Sequence, residues 1–478
     1  MKKIFYKIAV FTLIVGAFTS CDKELDQVPF DSFGTENAYV TAADFENAIR
    51  GVYSNLTSGG FYGGTDAGGM LDAPDVLSDN VTFAQKGRGT RRTLHNWQYG
   101  AADAPLLGLY RAAYSTIYRA NLLLANSEGF EGENKENVVA EAKALRALAH
   151  FNVVSFFGKI PTQSSDANGS LGVAYVTEPD PIIEPARETV GKTYEMIVQD
   201  LKDAAAGINE TNDEGRMNRD AVNTLLSRVY LYMGQWQNAI DAANQVSTPV
   251  APRSDVVGVW EDTSRSGLLF YIPNELPVLG ISIGVTWSQG GLTNLIPEYV
   301  VSYDFYNSFA ADDIRKDAYT MQASNNADGL QFNAIKKLFG RPGQSNGQVD
   351  IKILRAAEAY LNKAEAYYNL GNESAARTAL DVVRTKRYTN PPSGETGTAL
   401  RDAIRAERRF EFAFESQRFF DLKRWGLPVD RDGFGDLADG SGTPSDQQSL
   451  SAGNNKFQLP IAQSSLDQNP NLVQNPGY

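Results

Sequence analysis

Glu407, Glu411 and Glu415 recur every four residues, which puts three carboxylates on one face of a helix. Two carboxylates flanking a sugar bond are the acid and base of glycoside hydrolysis. Arg408, Arg409, Arg418, Asp421 and Arg424 share the stretch, and Phe410, Phe414 and Phe419 give it an apolar stripe. That mixture reads as an amphipathic helix whose charges pair with neighbours. Truncating one buried partner costs about 3–5 kcal/mol with no catalysis involved. Gly280-Ile281-Ser282-Ile283-Gly284 has the spacing of a nucleophile elbow, but that device needs a following helix and a later histidine. Val285-Thr286-Trp287 favours a strand, and both histidines, His95 and His150, precede Ser282. Gly191-Lys192-Thr193 ends like a phosphate loop, yet Ala186 stands where its first glycine belongs. Asp430-Arg431-Asp432-Gly433 begins like a calcium loop, but Phe434 takes an oxygen-ligand position and the closing glutamate is missing. One cysteine excludes a disulfide framework, and with two histidines it argues against a Cys/His zinc site. His150 falls on a helix and is expected in the core; His95 lies in a less regular segment and is expected exposed.

The elements that would carry these residues are mostly helical. Tyr230, Gly234 and Ala239 repeat the spacing of Tyr367, Gly371 and Ala376, with Ser227 and Val246 flanking the first set and Ala364 and Val383 the second. This is a tetratricopeptide-like pattern, in which small residues let two helices cross and glycine makes the turn. It predicts helix pairs over 221–233 with 236–246 and over 353–370 with 373–387, the first capped by Asn218 or Asp220. Further helices are predicted over 105–126, 137–157, 189–208 and, as one long element, 398–425. Residues 251–347 and 427–478 are rich in Gly, Ser, Asn and Asp and read as loop-rich segments with a few short strands. The fold class is therefore mainly α, a helical-hairpin scaffold over 38–250 and 348–426 with long irregular loops. Such hairpins must stack to bury their apolar faces.

The 478 residues are 42% hydrophobic and 21% charged, enough for a large core. The formal charge of −13 makes a general nucleic-acid binder a poor fit. Residues 1–20 open with Lys2, Lys3 and Lys7 and continue in an apolar run over 8–18, too short to span a bilayer, which reads as a signal peptide. Phe18-Thr19-Ser20-Cys21 resembles a bacterial lipobox, so Cys21 is expected to carry lipid. Removal of 1–20 takes away three lysines and no acid, moving the charge from −13 to −16.

Several stretches together resemble the SusD/RagB lipoproteins of Bacteroidetes. They are Arg50-Gly51-Val52-Tyr53, Arg119-Ala120-Asn121-Leu122, Glu141-Ala142-Lys143-Ala144-Leu145-Arg146-Ala147 and Phe157-Gly158-Lys159-Ile160-Pro161. Leu354-Arg355-Ala356-Ala357-Glu358-Ala359-Tyr360-Leu361 and Glu407-Arg408-Arg409-Phe410-Glu411-Phe412 with Asp421-Leu422-Lys423-Arg424-Trp425-Gly426 add to them. The terminal Gln474-Asn475-Pro476-Gly477-Tyr478 closes the match, and Asp22-Lys23-Glu24-Leu25-Asp26 is similar to the acidic export signal of such lipoproteins. The resemblance implies a single SusD-like domain over 21–478, lipid-anchored at the cell surface on the outer membrane. It implies oligosaccharide capture and delivery to a SusC-like TonB-dependent transporter, with no catalysis and no cofactor. RagB-like members take peptides instead; a hydrolase using the Glu407–Glu415 face is the remaining alternative.

The matching motifs are scaffold, so ligand residues are sought from physics. A sugar presents a C–H face that stacks on an aromatic ring and hydroxyls that need polar partners. Trp97 with Asn96, Arg92 and Tyr99 offers such a set. Trp260 and Trp287 in the irregular central segment, and Tyr62 in the glycine-rich loop 59–69, would complete a platform.

Overall fold

The computed structural model describes residues 38–63, 69–275, 279–291, 293–344 and 346–478. The leader 1–20, Cys21 and part of the loop 59–69 lie outside the described residues. The helices are α1 (Ala42–Asn55), α2 (Gly69–Val76), α3 (Arg92–His95), α4 (Leu107–Asn126), α5 (Lys135–Phe157), α6 (Val190–Gly207), α7 (Arg219–Tyr232), α8 (Trp236–Asn244) and α9 (Val256–Trp260). They continue as α10 (Tyr303–Ser308), α11 (Ile314–Tyr319), α12 (Ala356–Asn369), α13 (Glu373–Arg384), α14 (Gly397–Glu411), α15 (Arg418–Arg424) and α16 (Gln463–Gln468). The helices α1, α4, α5, α6, α7, α8, α12, α13 and α14 pack one on the next as a continuous stack.

Local chemistry sets these boundaries. The Thr41 hydroxyl accepts from Asp44 N while the Asp44 carboxylate accepts from Thr41 N, a reciprocal cap that starts α1. Asn218 Oδ1 accepts from Ala221 N at 2.9 Å to start α7, and Asn372 Oδ1 accepts from Ala375 N at 3.1 Å to start α13. Asp220, the other candidate cap, instead accepts from the Ser247 and Thr248 amides after α8. Gly234 and Gly371 turn each pair at φ of +70° and +77°. Ser227, Ala239, Ala364 and Ala376 are fully buried at the crossings. Ser227 Oγ donates to Ala239 O at 2.9 Å and accepts from Asn362 Nδ2 at 3.3 Å, tying one pair to the other.

The strands are short antiparallel pairs. β1 (Val81–Phe83) pairs with β5 (Tyr299–Val301), β2 (Leu268–Ile272) with β8 (Ile351–Arg355), and β3 (Ser288–Gln289) with β4 (Ile296–Pro297). β6 (Thr320–Ser324) pairs with β7 (Gln331–Ile335), and β9 (Val429–Asp430) with β10 (Ser449–Leu450).

Two predicted helices are corrected. Residues 353–355 belong to β8, because their backbone pairs with β2, and α12 starts only at Ala356. The long helix expected over 398–425 breaks at 412–417, where Phe414 and Ser416 take φ of +62° and +66°. The buried Asp75 carboxylate holds that turn by accepting from Phe414 N and Ser416 N, both at 3.1 Å. Burial pushes Asp75 up to about 6.

Candidate functional site

Helix α4 places Tyr110, Tyr114 and Tyr118 four residues apart, so the rings form one stripe along it. Leu109, Ala113, Ile117 and Ala120 bury the core side of the same helix. The stripe lines a cavity of about 600 Å³. Ala174, Val176 and the segment 180–185 form a facing wall, and Ser465, Gln468, Asn469 and Leu472 close one end. Ile182 is 83% exposed and Ile183 37% exposed at this cavity, and Val473 next to Leu472 is 56% exposed. The lining adds Glu178, Asp180 and Glu184 to a single Arg111, so its polar side is mostly acceptor.

A buried polar network fixes the wall. Arg146 forms a two-pronged pair with Asp200, both contacts at 2.7 Å, and also donates to Asn121 Oδ1 at 2.9 Å. Asn121 Nδ2 in turn donates to Val176 O at 2.9 Å. Tyr175 OH donates to Asp200 Oδ2 at 2.5 Å, and the Tyr175 ring stacks on His150 with centroids 3.8 Å apart. Val176 N donates to His150 Nε2 at 3.1 Å, which leaves the proton on Nδ1, where it is donated to Arg146 O at 3.0 Å. Burial lowers His150 to about 3, so the ring stays neutral. Tyr114 OH donates to Ala174 O at 2.8 Å, linking the stripe to the wall. Burial raises Tyr110 and Tyr114 above the usual phenol range, so both hydroxyls remain protonated.

The far end is held by Arg187, which donates to Gly172 O, Leu171 O and Phe157 O, and also to Val473 O at 2.8 Å and Asn475 Oδ1 at 2.9 Å. Asn475 Nδ2 donates to Phe157 O and Leu459 O at 2.8 and 2.6 Å. The tail of the chain is thus part of the cavity frame. Neutral phenol rings beside carboxylate and amide acceptors suit a polyhydroxylated ligand with apolar C–H faces.

The aromatic set expected from sequence does not form an exposed platform. Trp97, Trp260, Trp287, Tyr62 and Tyr99 are all buried. Trp97 Nε1 donates to Leu77 O at 3.1 Å, and the Arg431 guanidinium covers its ring 4.0 Å from the centroid. Tyr99 OH donates to Lys456 O at 2.6 Å. Trp287 packs against Tyr299 and Phe414. Trp260 sits under Lys337 and Arg355 and edge-on to Tyr319. Tyr62, whose hydroxyl accepts from Asn152 Nδ2 at 2.7 Å, shares with Trp260 only a void of about 30 Å³, far too small for a sugar. Arg92 and Asn96 do meet, both donating to Asp446 Oδ2, at 2.8 and 2.9 Å. Arg92 is half-exposed there while Asn96 is buried. His95, expected exposed, is fully buried between Val76 O and Ser445 Oγ. The tyrosine stripe escaped the sequence reading although its signal was available: tyrosine at every fourth position inside the predicted helix 105–126.

The three glutamates are buried pairs. Glu411 accepts from Arg387 at 2.7 and 2.8 Å, from Arg355 at 2.7 Å and from Arg315 at 3.3 Å. These guanidiniums hold it well below the usual carboxylate range against the cost of burial. Glu407 pairs with Arg315 and Arg384, and Glu415 with Arg355 and Lys337. None of the three lines the tyrosine cavity. Among the described residues no group of His, Cys, Asp and Glu has the arrangement of a metal site, and no helix is long and apolar enough to cross a membrane.

Comparison with known proteins agrees with this architecture. The family model described as "SusD family" matches residues 317–478, and one described as "Starch-binding associating with outer membrane" matches 35–231. A SusD-like protein of Formosa agariphila is 26% identical over all of both chains. The solved structure of a putative sugar binding protein from Bacteroides vulgatus superposes with a TM-score of 0.82 at 26% identity, covering 92% of this chain and 100% of that one. A SusD superfamily protein from Bacteroides thetaiotaomicron gives 0.80 at 28%, covering 91% and 100%. The starch-binding protein SusD of Bacteroides thetaiotaomicron is 30% identical, with 100% of this chain and 99% of that one aligned. With helical repeats, buried charge motifs and terminal tail all in place, this chain belongs to the SusD/RagB family.

Proposed function

We propose that the chain binds oligosaccharides at the tyrosine-lined cavity and delivers them to a SusC-like TonB-dependent transporter of the outer membrane, from a lipid anchor on Cys21 at the cell surface. One observation carries the binding reading: three rings aligned on α4 beside a cavity of about 600 Å³, within the range of small-ligand sites. The names of its relatives, a starch-binding protein and a putative sugar binding protein, support glycans as the ligand class. Binding proceeds without turnover, because the paired carboxylates that could hydrolyse a glycosidic bond are neutralised inside the scaffold.

Calorimetry of the chain against a panel of neutral oligosaccharides tests the reading. Tyr118→Ala is the informative variant, because Tyr118 lines the cavity and is partly exposed. Loss of an aromatic anchor is expected to weaken binding roughly tenfold, with the unfolding midpoint unchanged. Binding unaffected by Tyr118→Ala removes the cavity from the proposal, and release of shortened products removes the claim of binding without turnover. Loss of lipid labelling and membrane retention in Cys21→Ala, and co-purification of a channel protein with the wild type, test the anchor and the partner.

A further inference from the structure

A second cavity, of about 340 Å³, opens on the helical-repeat side of the molecule between α8, α12, α14 and α15. Trp236, Tyr368 and Trp425 give it three partly exposed aromatic rings. Glu365, the carboxylate on its lining, is already saturated. Its two oxygens accept from Arg424 at 2.5 and 2.6 Å and from Trp425 Nε1 at 2.7 Å. Arg405 is different: its guanidinium lies 4.9 Å from the Trp425 ring centroid, and among the described residues no carboxylate pairs with it. Arg401 stands beside it, engaged with Asp402. Thr162 also lines the cavity, with a buried hydroxyl that has no hydrogen-bond partner among the described residues. Burial lowers Arg405 below the usual guanidinium range, the direction expected of a cation taken from water without a counter-ion.

We propose that this cavity is a second binding site, for one carboxylate-bearing sugar unit of the hexuronic acid class. The carboxylate would pair with the planar Arg405 fork, the C–H face would lie on the rings, and hydroxyls would reach Thr162 and Tyr368. The volume suits one unit or a chain end, being near the lower limit of about 300 Å³ for ligand sites. A peptide carboxyl terminus is the poorer occupant, since the helices on the lining satisfy their main-chain groups internally and offer an extended peptide no strand to pair with. The site is separate from the tyrosine cavity and does not depend on its assignment.

Titration of the full chain with methyl glucuronide, read by calorimetry and by tryptophan fluorescence, tests the proposal. The expected result is saturable binding that weakens with salt and falls at least about tenfold in Arg405→Gln, a loss that truncation of an anchoring charge readily produces. Methyl glucoside and acetate should each bind at least about tenfold more weakly than the glucuronide, since each lacks one of the two recognised features. Tyr118→Ala should bind the glucuronide as the parent does. Arg405→Gln orphans no carboxylate and should keep the parent unfolding midpoint; Thr162→Val provides a second, shape-conserving variant, expected to weaken binding. No binding by the parent up to about 10 mM, or equal binding by folded Arg405→Gln, overturns the site. Acetate as tight as the glucuronide, or a short peptide with a free carboxyl terminus bound more tightly, overturns the sugar-acid assignment.

Discussion

Glu411 shows how a residue can be indispensable without doing chemistry. Three arginines converge on it in a fully buried setting, so Glu411→Gln leaves their charges short of a counter-ion. Chemical denaturation should report a loss of about 3–5 kcal/mol. His150 gives a pH signature of opposite origin. Its folded value of about 3 lies below its ordinary 6.5, so between these values the unfolded chain binds the extra proton. Its contribution is therefore complete above about pH 6.5 and declines by about 1.4 kcal/mol per unit as pH falls towards 3. Asp75 has the reverse sign: raised to about 6, it contributes most below its ordinary 3.8 and loses that contribution as pH rises through 6. The wild-type curve mixes the two. The difference between wild type and His150→Gln, measured by denaturation from pH 7 to 4, isolates the histidine and should shrink steadily as pH falls.

At the scale of elements, the two repeat turns make a matched test. Gly234 and Gly371 share positive φ, but a Cβ on Gly234 would come within 3.2 Å of Thr162 Cγ2 and 3.6 Å of the Trp236 ring, whereas one on Gly371 meets nothing within 4 Å. Gly371→Ala should cost only the left-handed backbone strain, roughly 1 kcal/mol, and Gly234→Ala measurably more in thermal denaturation. The repeats were legible in the sequence because spacing, glycine turns and asparagine caps are local. The break at 412–417 was not, since its cause is Asp75, some 340 positions earlier in the chain. Ile353 and Leu354 sit in a helix-like run yet form a strand because β2 offers partners. The same division explains the site. Tryptophans in irregular sequence invited an exposed reading, but distant groups such as Arg431 and Lys337 cover Trp97 and Trp260. The tyrosine stripe, written at helical period, was legible and went unread.

The whole molecule is held by contacts between its extremes. Removing residues 473–478 deletes the Val473 carbonyl and Asn475 amide that engage Arg187 and the end of α5. The truncated chain should lose oligosaccharide binding by calorimetry and show a lower unfolding midpoint, while far-ultraviolet circular dichroism still reports the helical stack. Conversely, a chain lacking only its first 20 residues should fold and bind as the full chain does.

That closing contact also imposes an order in time. Synthesis delivers residues 110–187 well before Asn475 exists, so a chain still on the ribosome or midway through export has the rings but not the frame that steadies them. Competence to hold a ligand arrives with the last few residues, after translocation is complete. A nascent copy would therefore be unable to trap sugar on the wrong side of the membrane.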